Sequence, residues 1–490
     1  MNDTLRPQLL FVAAGVACAS LASGVELPAG FVAVAIPTNL TTPTGLVFAA
    51  DGTMFIMEHA GIVRVHDGAS QQATAFIDLT AEVNQNGDRG LLGIALHPGF
   101  TPDDGPTSWV YLQYTVSPVP GRDLGYNQDD RYSFSRLTRY RAVTTGGGDM
   151  VANLASRQVL LGHKLPNGIV PDGITSCHDS HASGAMAFAE DGSLLVANGD
   201  GAHYDFRDSG GADPACFANF VHPVTGQHGP MKVYEDSGAY RALDLRSLAG
   251  KLLRIDPETG RGYPSNPYYD GDPASNASRV WALGLRNPYR FAPRPGTGAN
   301  DPALGRPNTI YLGDVGWNAW EETDVVHGGE NFGWPCFEGM DEQPGYQNFE
   351  RGNDPLGRPD CDVIPPALHA PPLLAWHHTD DSALAPPGFY FDEDGNPLEG
   401  FIGQTSTGGA FYASGNYPAQ YRGRYFFGDY SSSWIKTIET DANDNLVAVR
   451  DFGSDGEGPV DFERHPRNGD IYFVAIFTNS VYRIRYTGAQ

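Results

Sequence analysis

The chain has few basic residues and few cysteines for its length. Lys and Arg number 32 against 58 Asp and Glu, so the formal net charge is -26 at pH 7. An excess of negative charge repels polyanions, and we therefore expect no nucleic-acid partner. The 5 cysteines form no C-x-x-C pair and no C-x-x-C-H motif. The first absence disfavours a zinc site, and the second argues against a covalently attached c-type haem.

The sequence also lacks an apolar run of the roughly 20 residues that cross a bilayer, so we expect no transmembrane segment. A shorter run at residues 9–19 follows Arg6 and precedes small residues through Gly24. This pattern is typical of a secretory signal peptide, predicted at residues 1–24. Residues 25–490 contain no low-complexity linker and are predicted to form a single domain. The expected location is therefore the periplasm or the medium.

Removal of a signal peptide would take Cys18 with it and leave four cysteines, at positions 177, 216, 336 and 361. An even number of cysteines in an exported chain predicts two disulfides. Proximity in sequence favours Cys177 with Cys216 and Cys336 with Cys361, although four cysteines permit three pairings.

Turn-forming residues are abundant, with 60 Gly and 37 Pro. A unit of apolar strand, tight turn and apolar strand recurs six times. The six copies begin at Pro43, Gly90, His181, Arg286, Ser414 and Pro459. This repetition predicts an all-β fold, a six-bladed β-propeller with long inter-strand insertions. A β-sandwich is the alternative, but it would not require the turn to recur in the same sequence frame.

The third unit, HASGAMAFAEDGSLLVANGD, carries a candidate catalytic pair. Asp191-Gly192 suits a two-residue hairpin turn, which would place His181 and Asp200 at the same edge of a sheet. A carboxylate that holds one ring nitrogen of a histidine sets its tautomer and prepares the other nitrogen to take a proton. A solvated loop histidine is the alternative reading.

Several motifs together resemble one family. They are H-x-x-G-x-M-x-F-x-x-D-G from His181, GLRNPYRF from Gly284, GDVGWNAWEETDVV from Gly313 and GENFGWPCFEG from Gly329. The chain is similar in these motifs to the glucose/sorbosone dehydrogenase family, six-bladed propellers that use pyrroloquinoline quinone (PQQ) and calcium. The resemblance implies that His181 is the general base and Asp200 its orienting carboxylate. It also implies that Arg286 and Asn287 contact the quinone, where a guanidinium would stabilise developing charge.

The same resemblance implies two calcium sites. The backbone carbonyls of Val315 and Gly316 would hold the calcium that binds the cofactor. Glu321 and Glu322 align with an acidic pair at a second calcium site. Adjacent residues on a strand point to opposite faces, so both can reach one ion only if this segment is a loop. A solvated acidic pair is the alternative.

The cofactor contacts depart from the family pattern in two places. Asp88 stands where the family offers Gln or Glu, and it is kept as a cofactor-binding candidate. The late Lys and the Arg-x-Arg pair that clamp the cofactor's carboxylates are absent, leaving Arg424, Lys436 and Arg464 as nearby substitutes. Each charge-assisted hydrogen bond contributes about 1.5–3 kcal/mol, so losing two or three would weaken cofactor binding by several powers of ten.

Two functions follow from these observations. The first is a PQQ- and calcium-dependent dehydrogenase that oxidises a hydroxyl of an aldose or related sugar and passes electrons to an external acceptor. Trp317 could pack on the sugar ring in such a site. The alternative is a non-catalytic secreted propeller that binds carbohydrate or protein through the same face, as the similarity of some motifs to Hedgehog-interacting-protein-like propellers suggests. The retained His181, Asp200 and Arg286 favour the enzyme, and the missing clamp favours the alternative.

Overall fold

The computed structural model is nearly all β. It describes residues 24–117, 133–221, 226, 228–364, 368–392 and 394–488. Within these ranges lie 29 strands and one single-turn α-helix, α1 (Pro344–Gln347). Six sheets of four or five strands surround a common axis, so the six-bladed propeller predicted from the repeats is confirmed.

The first three blades follow one another along the chain. Blade 1 contains β2 (Pro43–Phe48), β3 (Met54–Glu58), β4 (Ile62–His66) and β5 (Ile77–Asp78). Blade 2 contains β6 (Leu91–Leu96), β7 (Trp109–Val116), β8 (Phe134–Thr144), β9 (Met150–Leu161) and β10 (Ile174–Thr175). Blade 3 contains β11 (Ser183–Phe188), β12 (Leu194–Asn198), β13 (Lys251–Ile255) and β14 (Val280–Leu283).

The remaining blades complete the ring. Blade 4 contains β15 (Pro288–Pro293), β16 (Ile310–Asp314), β17 (Trp320–Val326), β20 (Leu374–His377) and β21 (Leu384–Ala385). Its long insertion carries a small hairpin, β18 (Phe337–Glu338) and β19 (Asp341–Glu342). Blade 5 contains β22 (Tyr390–Phe391), β23 (Ser406–Phe411), β24 (Tyr425–Asp429), β25 (Ile435–Thr440) and β26 (Leu446–Gly453). Blade 6 contains β27 (Pro459–Arg464), β28 (Ile471–Ala475), β29 (Ser480–Tyr486) and β1 (Phe31–Ala35).

The ring closes because the N-terminal strand β1 pairs with β29, the last strand of the chain. The innermost strands, β2, β6, β11, β15, β23 and β27, pack against one another around the axis. At Gly184 of β11 a Cβ atom would lie 2.4 Å from the carbonyl oxygen of Pro288 at the start of β15, so only glycine fits this approach. The six innermost strands all begin on the same face of the ring, which we call the upper face. The loops that precede β6, β11 and β15 gather there.

The fifth repeat begins earlier than predicted. Its innermost strand is β23, residues 406–411, which lies before the predicted start at Ser414. The segment STGGAF has two glycines and two hydroxyl side chains, so it carries little of the apolar signal on which the prediction depended.

The two disulfides are those favoured by proximity in sequence, Cys177–Cys216 and Cys336–Cys361. Residues 1–23 of the predicted signal peptide, with Cys18, lie outside the described residues. No helix in the described part of the chain is both long and apolar enough to cross a membrane.

Candidate functional site

His181 and Asp200 meet at the upper face, at the two ends of the β11–β12 hairpin. Nδ1 of His181 donates to Oδ1 of Asp200 at 2.8 Å, and both side chains are buried. His181 has a φ of 49°, a left-handed conformation that is uncommon for a non-glycine residue. Asp200 also accepts from the backbone N–H of Ala202 at 2.8 Å and from Nε1 of Trp334 at 2.7 Å. The histidine ring is therefore held by a carboxylate that is itself fixed in place.

The electrostatics of this pair suit a neutral base. Burial, reinforced by the nearby Arg286 guanidinium, lowers the pKa of His181 below 6.5. Burial opposes ionisation of Asp200, but the neighbouring His181 and Arg286 outweigh it and lower the pKa of Asp200. At neutral pH the carboxylate is thus charged and accepts the Nδ1 proton. The lone pair of Nε2 is then available to take a proton from a substrate.

Arg286 lies beside this pair, at the start of blade 4. The backbone N–H groups of Arg286 and Asn287 donate to the two carboxylate oxygens of Asp314, at 2.8 and 2.6 Å. Nη1 of Arg286 donates to the carbonyls of Val315 at 2.9 Å and Gly316 at 2.6 Å. The carbonyls predicted to bind calcium therefore accept hydrogen bonds from a cation of the chain itself. Nε of Arg286 is buried and has no hydrogen-bond partner among the described residues.

A carboxylate that sequence reasoning missed holds the loop that follows Gly316. Oε1 of Glu338 accepts from the backbone N–H groups of residues 317–320, at 2.7, 2.9, 2.9 and 3.2 Å. Its Oε2 accepts from Nε2 of Gln343 at 2.7 Å. Glu338 lies two residues after Cys336, whose disulfide ties the insertion together. No local signal marks Glu338, because its partners lie about twenty residues earlier in the chain.

The acidic pair Glu321 and Glu322 does not converge on one point. Both residues lie within strand β17, so their side chains point to opposite faces of blade 4. Glu321 accepts from Nε2 of His378 at 2.8 Å and from the backbone N–H of Ser406 at 2.6 Å, toward blade 5. Glu322 accepts from the backbone N–H of Gly339. The predicted shared calcium ion would have needed a loop here, and a strand forms instead.

Glu322 belongs to a different acidic group. It shares its face of β17 with Asp324 and pairs in register with Asp314 of β16. Ligand oxygens of these three buried carboxylates lie within 4.8 Å of one another. Burial raises the pKa of each of them, that of Asp314 to about 7. Within the described part of the chain, both oxygens of Asp324 lack hydrogen-bond partners. An oxygen-lined group of this kind suits a hard divalent cation.

The two candidate clamp residues of blade 5 are engaged elsewhere. Tyr425 pairs with Phe411, the last residue of β23, so Arg424 lies at the lower end of its blade and donates to Glu439 at 3.1 Å. Lys436 lies on the third strand, where its ammonium group donates to Asp451 and is surrounded by aromatic rings. The structure therefore does not bring Arg424 or Lys436 to His181, and neither is retained as a cofactor contact.

Asp88 does lie at the site. Its carboxylate accepts from the backbone N–H of His181 at 3.4 Å, a long hydrogen bond that supports the unusual conformation of this residue. The next residue, Arg89, is buried and directs Nε and Nη2 to the carbonyls of Ser176 and Cys177. Asp88 thus adds a second carboxylate beside His181, next to that of Asp200.

The family model described as "Glucose / Sorbosone dehydrogenase" matches residues 40–213 and 229–359. The chain belongs to the glucose/sorbosone dehydrogenase family. Among curated relatives, HIPL1 protein from Arabidopsis thaliana is 24% identical over 495 residues, covering 91% of this chain and 59% of that protein. Quinoprotein glucose dehydrogenase B from Acinetobacter calcoaceticus is 23% identical, covering 64% of this chain and 54% of that protein.

The chain therefore spans little more than half the length of these two relatives. Among solved structures, the PQQ-bound form of an aldose sugar dehydrogenase from Streptomyces coelicolor superposes with a TM-score of 0.55 at 17% identity. The superposition covers 94% of this chain and 99% of that one. At this identity the likeness shows a shared fold.

Proposed function

We propose that this protein is a PQQ- and calcium-dependent dehydrogenase that oxidises a hydroxyl group of an aldose or related sugar. The observation that carries the proposal is the buried His181–Asp200 pair beside Arg286, at the upper face where the loops of three blades meet. The names of two relatives, a quinoprotein glucose dehydrogenase and an aldose sugar dehydrogenase, support the same reaction class.

The residues fit the reacting end of a quinone. Nε of Arg286 is a buried donor that no described residue partners, and it would donate to a cofactor oxygen. PQQ, when bound, supplies the two-electron oxidant for the alcohol. Nε2 of His181 takes the hydroxyl proton of the sugar, while Asp200 holds the Nδ1 proton and stabilises the charged ring that results. Burial of the pair keeps water from competing for that proton.

The calcium ligands we propose differ from those expected from the aligned motif. Asp314, Glu322 and Asp324 form the acidic group, and the unpartnered oxygens of Asp324 favour an ion at this place. An ion there would stiffen the end of β16, from which Asp314 holds the backbone of Arg286. Calcium would thus act on the site through the position of Arg286.

The test is a titration of the full chain with PQQ and calcium, followed by cofactor absorbance and by dye reduction with a panel of aldoses. Saturable binding and sugar-dependent turnover are expected in the wild type. His181→Ala should abolish turnover while PQQ binding remains, and the lower-face variant Arg424→Ala should retain both. No binding at micromolar PQQ in the presence of calcium would refute the dehydrogenase.

One observation favours a second function, a propeller that binds carbohydrate or protein without catalysis. Arg424 and Lys436, the blade 5 candidates for the family's cationic clamp, bond to Glu439 and Asp451 and do not reach His181. The same titration decides between the two functions, since only the dehydrogenase requires the cofactor.

An exported location and an external electron acceptor are parts of the dehydrogenase proposal.

A further inference from the structure

An aromatic cluster, His178, His203, Tyr204 and Phe206, adjoins the site and is not used by the reaction. The His203 ring lies between those of His178 and Phe206, with ring centroids 3.9 and 3.8 Å away. The Tyr204 ring lies nearly parallel to that of His203, at 5.4 Å. Tyr204 is 48% exposed and Phe206 47% exposed, while His178 beneath them is buried. We call this group of four residues the aromatic shelf.

Hydrogen bonds hold the loop backbone that carries the shelf. The buried Asp208 accepts from the backbone N–H of His203 at 3.2 Å and from that of Gly210 at 3.0 Å. Its own backbone N–H donates to the hydroxyl group of Tyr346 at 3.1 Å. The carbonyl of Tyr204 accepts from Nε1 of Trp317 at 2.8 Å. A loop backbone that is already held in place loses little conformational entropy when a ligand covers the rings it carries.

The shelf is continuous with the catalytic pair. His178 precedes His181 by three residues, so their Cα atoms are at most about 11 Å apart. Trp334 donates to Asp200, and its ring contacts that of Trp317, with centroids 6.3 Å apart. Trp317 in turn donates to Tyr204, so packed aromatic rings connect Asp200 to the shelf, the ring of Trp334 being buried and that of Trp317 partly exposed. A chain of sugar rings that presents one hydroxyl to His181 would extend past Trp317 to the shelf.

We propose that the aromatic shelf is a second sugar-binding subsite, and that the substrate is an oligosaccharide whose further rings stack on Tyr204 and Phe206. This inference rests on the proposed function and names its substrate class. Sugar rings offer flat C–H faces to aromatic rings, and their hydroxyl groups can donate to the exposed Asp205 between the two. The net charge of -26 opposes an acidic ligand, so among glycans a neutral one is favoured over an acidic one.

The test is calorimetric titration of the full chain with glucose, cellotetraose and maltotetraose, which does not depend on turnover. We expect at least one tetrasaccharide to bind about tenfold more tightly than glucose. Tyr204→Ala and Phe206→Ala should each weaken that binding by about tenfold, which corresponds to about 1.4 kcal/mol, and leave glucose binding unchanged. Phe477→Ala is the matched control, because this phenylalanine is 56% exposed on blade 6, across the ring.

Melting temperatures check that the variants fold, and Phe206→Leu replaces Phe206→Ala if the latter does not. Equal affinity for glucose and both tetrasaccharides, or tetrasaccharide binding unchanged in both shelf variants, would overturn the proposal. Self-association of the wild type that disappears in the shelf variants would also overturn it, by assigning the rings to a protein contact. Failure to bind PQQ with shelf-dependent tetrasaccharide binding intact would refute the dehydrogenase and leave the subsite standing.

Discussion

Replacing Asp324 with asparagine should change stability in opposite directions with and without calcium. In chelator, the variant should melt at a higher temperature than the wild type: burial beside Asp314 and Glu322 raises the pKa of Asp324, so folding at neutral pH must either bury its charge or take up a proton, and asparagine requires neither. In calcium, the order should reverse, because the variant loses a charged ligand. The matched control is Glu321→Gln, on the opposite face of the same strand.

The expected size follows from binding linkage. Calcium at 100 times its Kd stabilises the folded state by about 2.7 kcal/mol. The unfolding entropy of a chain of this length is about 1 kcal/mol/K, so the melting temperature should rise by about 3 °C. A hundredfold weaker site in Asp324→Asn would retain about 0.4 kcal/mol of this stabilisation. The melting temperature of the variant would then rise by less than about 1 °C on adding calcium. Scanning calorimetry with calcium and with chelator measures the melting-temperature shifts of the wild type and of the variant. Equal calcium shifts in wild type and Asp324→Asn, or loss of the shift in Glu321→Gln, would refute the assignment.

Three further outcomes are expected. Asp200→Asn should lower kcat by about 10²–10⁴-fold in a dye-reduction assay, because His181 loses the partner that sets its tautomer, and an unchanged kcat would contradict this role. Since burial lowers the pKa of His181 below 6.5, kcat/KM should be constant above neutral pH and fall only in more acidic buffer. In chelator, urea titrations should show the stability of the wild type relative to Asp314→Asn falling as pH rises from about 4 to about 7, because burial raises the pKa of Asp314 to about 7 and the folded wild type binds the extra proton. A relative stability that rises over this range would contradict the raised pKa of Asp314.

Much of the architecture follows from short-range patterns in the sequence. A strand, a two-residue turn and a returning strand determine a hairpin locally, so His181 and Asp200 had to lie at the same sheet edge. Recurrence of that unit predicted the six blades, and closeness in sequence favoured the disulfide pairs that form. The fifth repeat was predicted to start at Ser414, after its innermost strand, because STGGAF lacks the apolar residues by which the other innermost strands are recognised.

The tertiary structure decided which charged groups reach the site. Whether Glu321 and Glu322 share an ion depends on β17 being a strand, and Asp314 joins Glu322 only through the register with β16. Arg424 lies near the family's clamp in sequence, but strand direction places it on the opposite face of the ring. By itself, then, the sequence determined the family, the propeller and the His181–Asp200 pair, because these depend on neighbouring residues. Only the packing of blades and insertions brings together the segments that form the acidic group of Asp314, Glu322 and Asp324, the hydrogen bonds of Glu338 and the aromatic shelf.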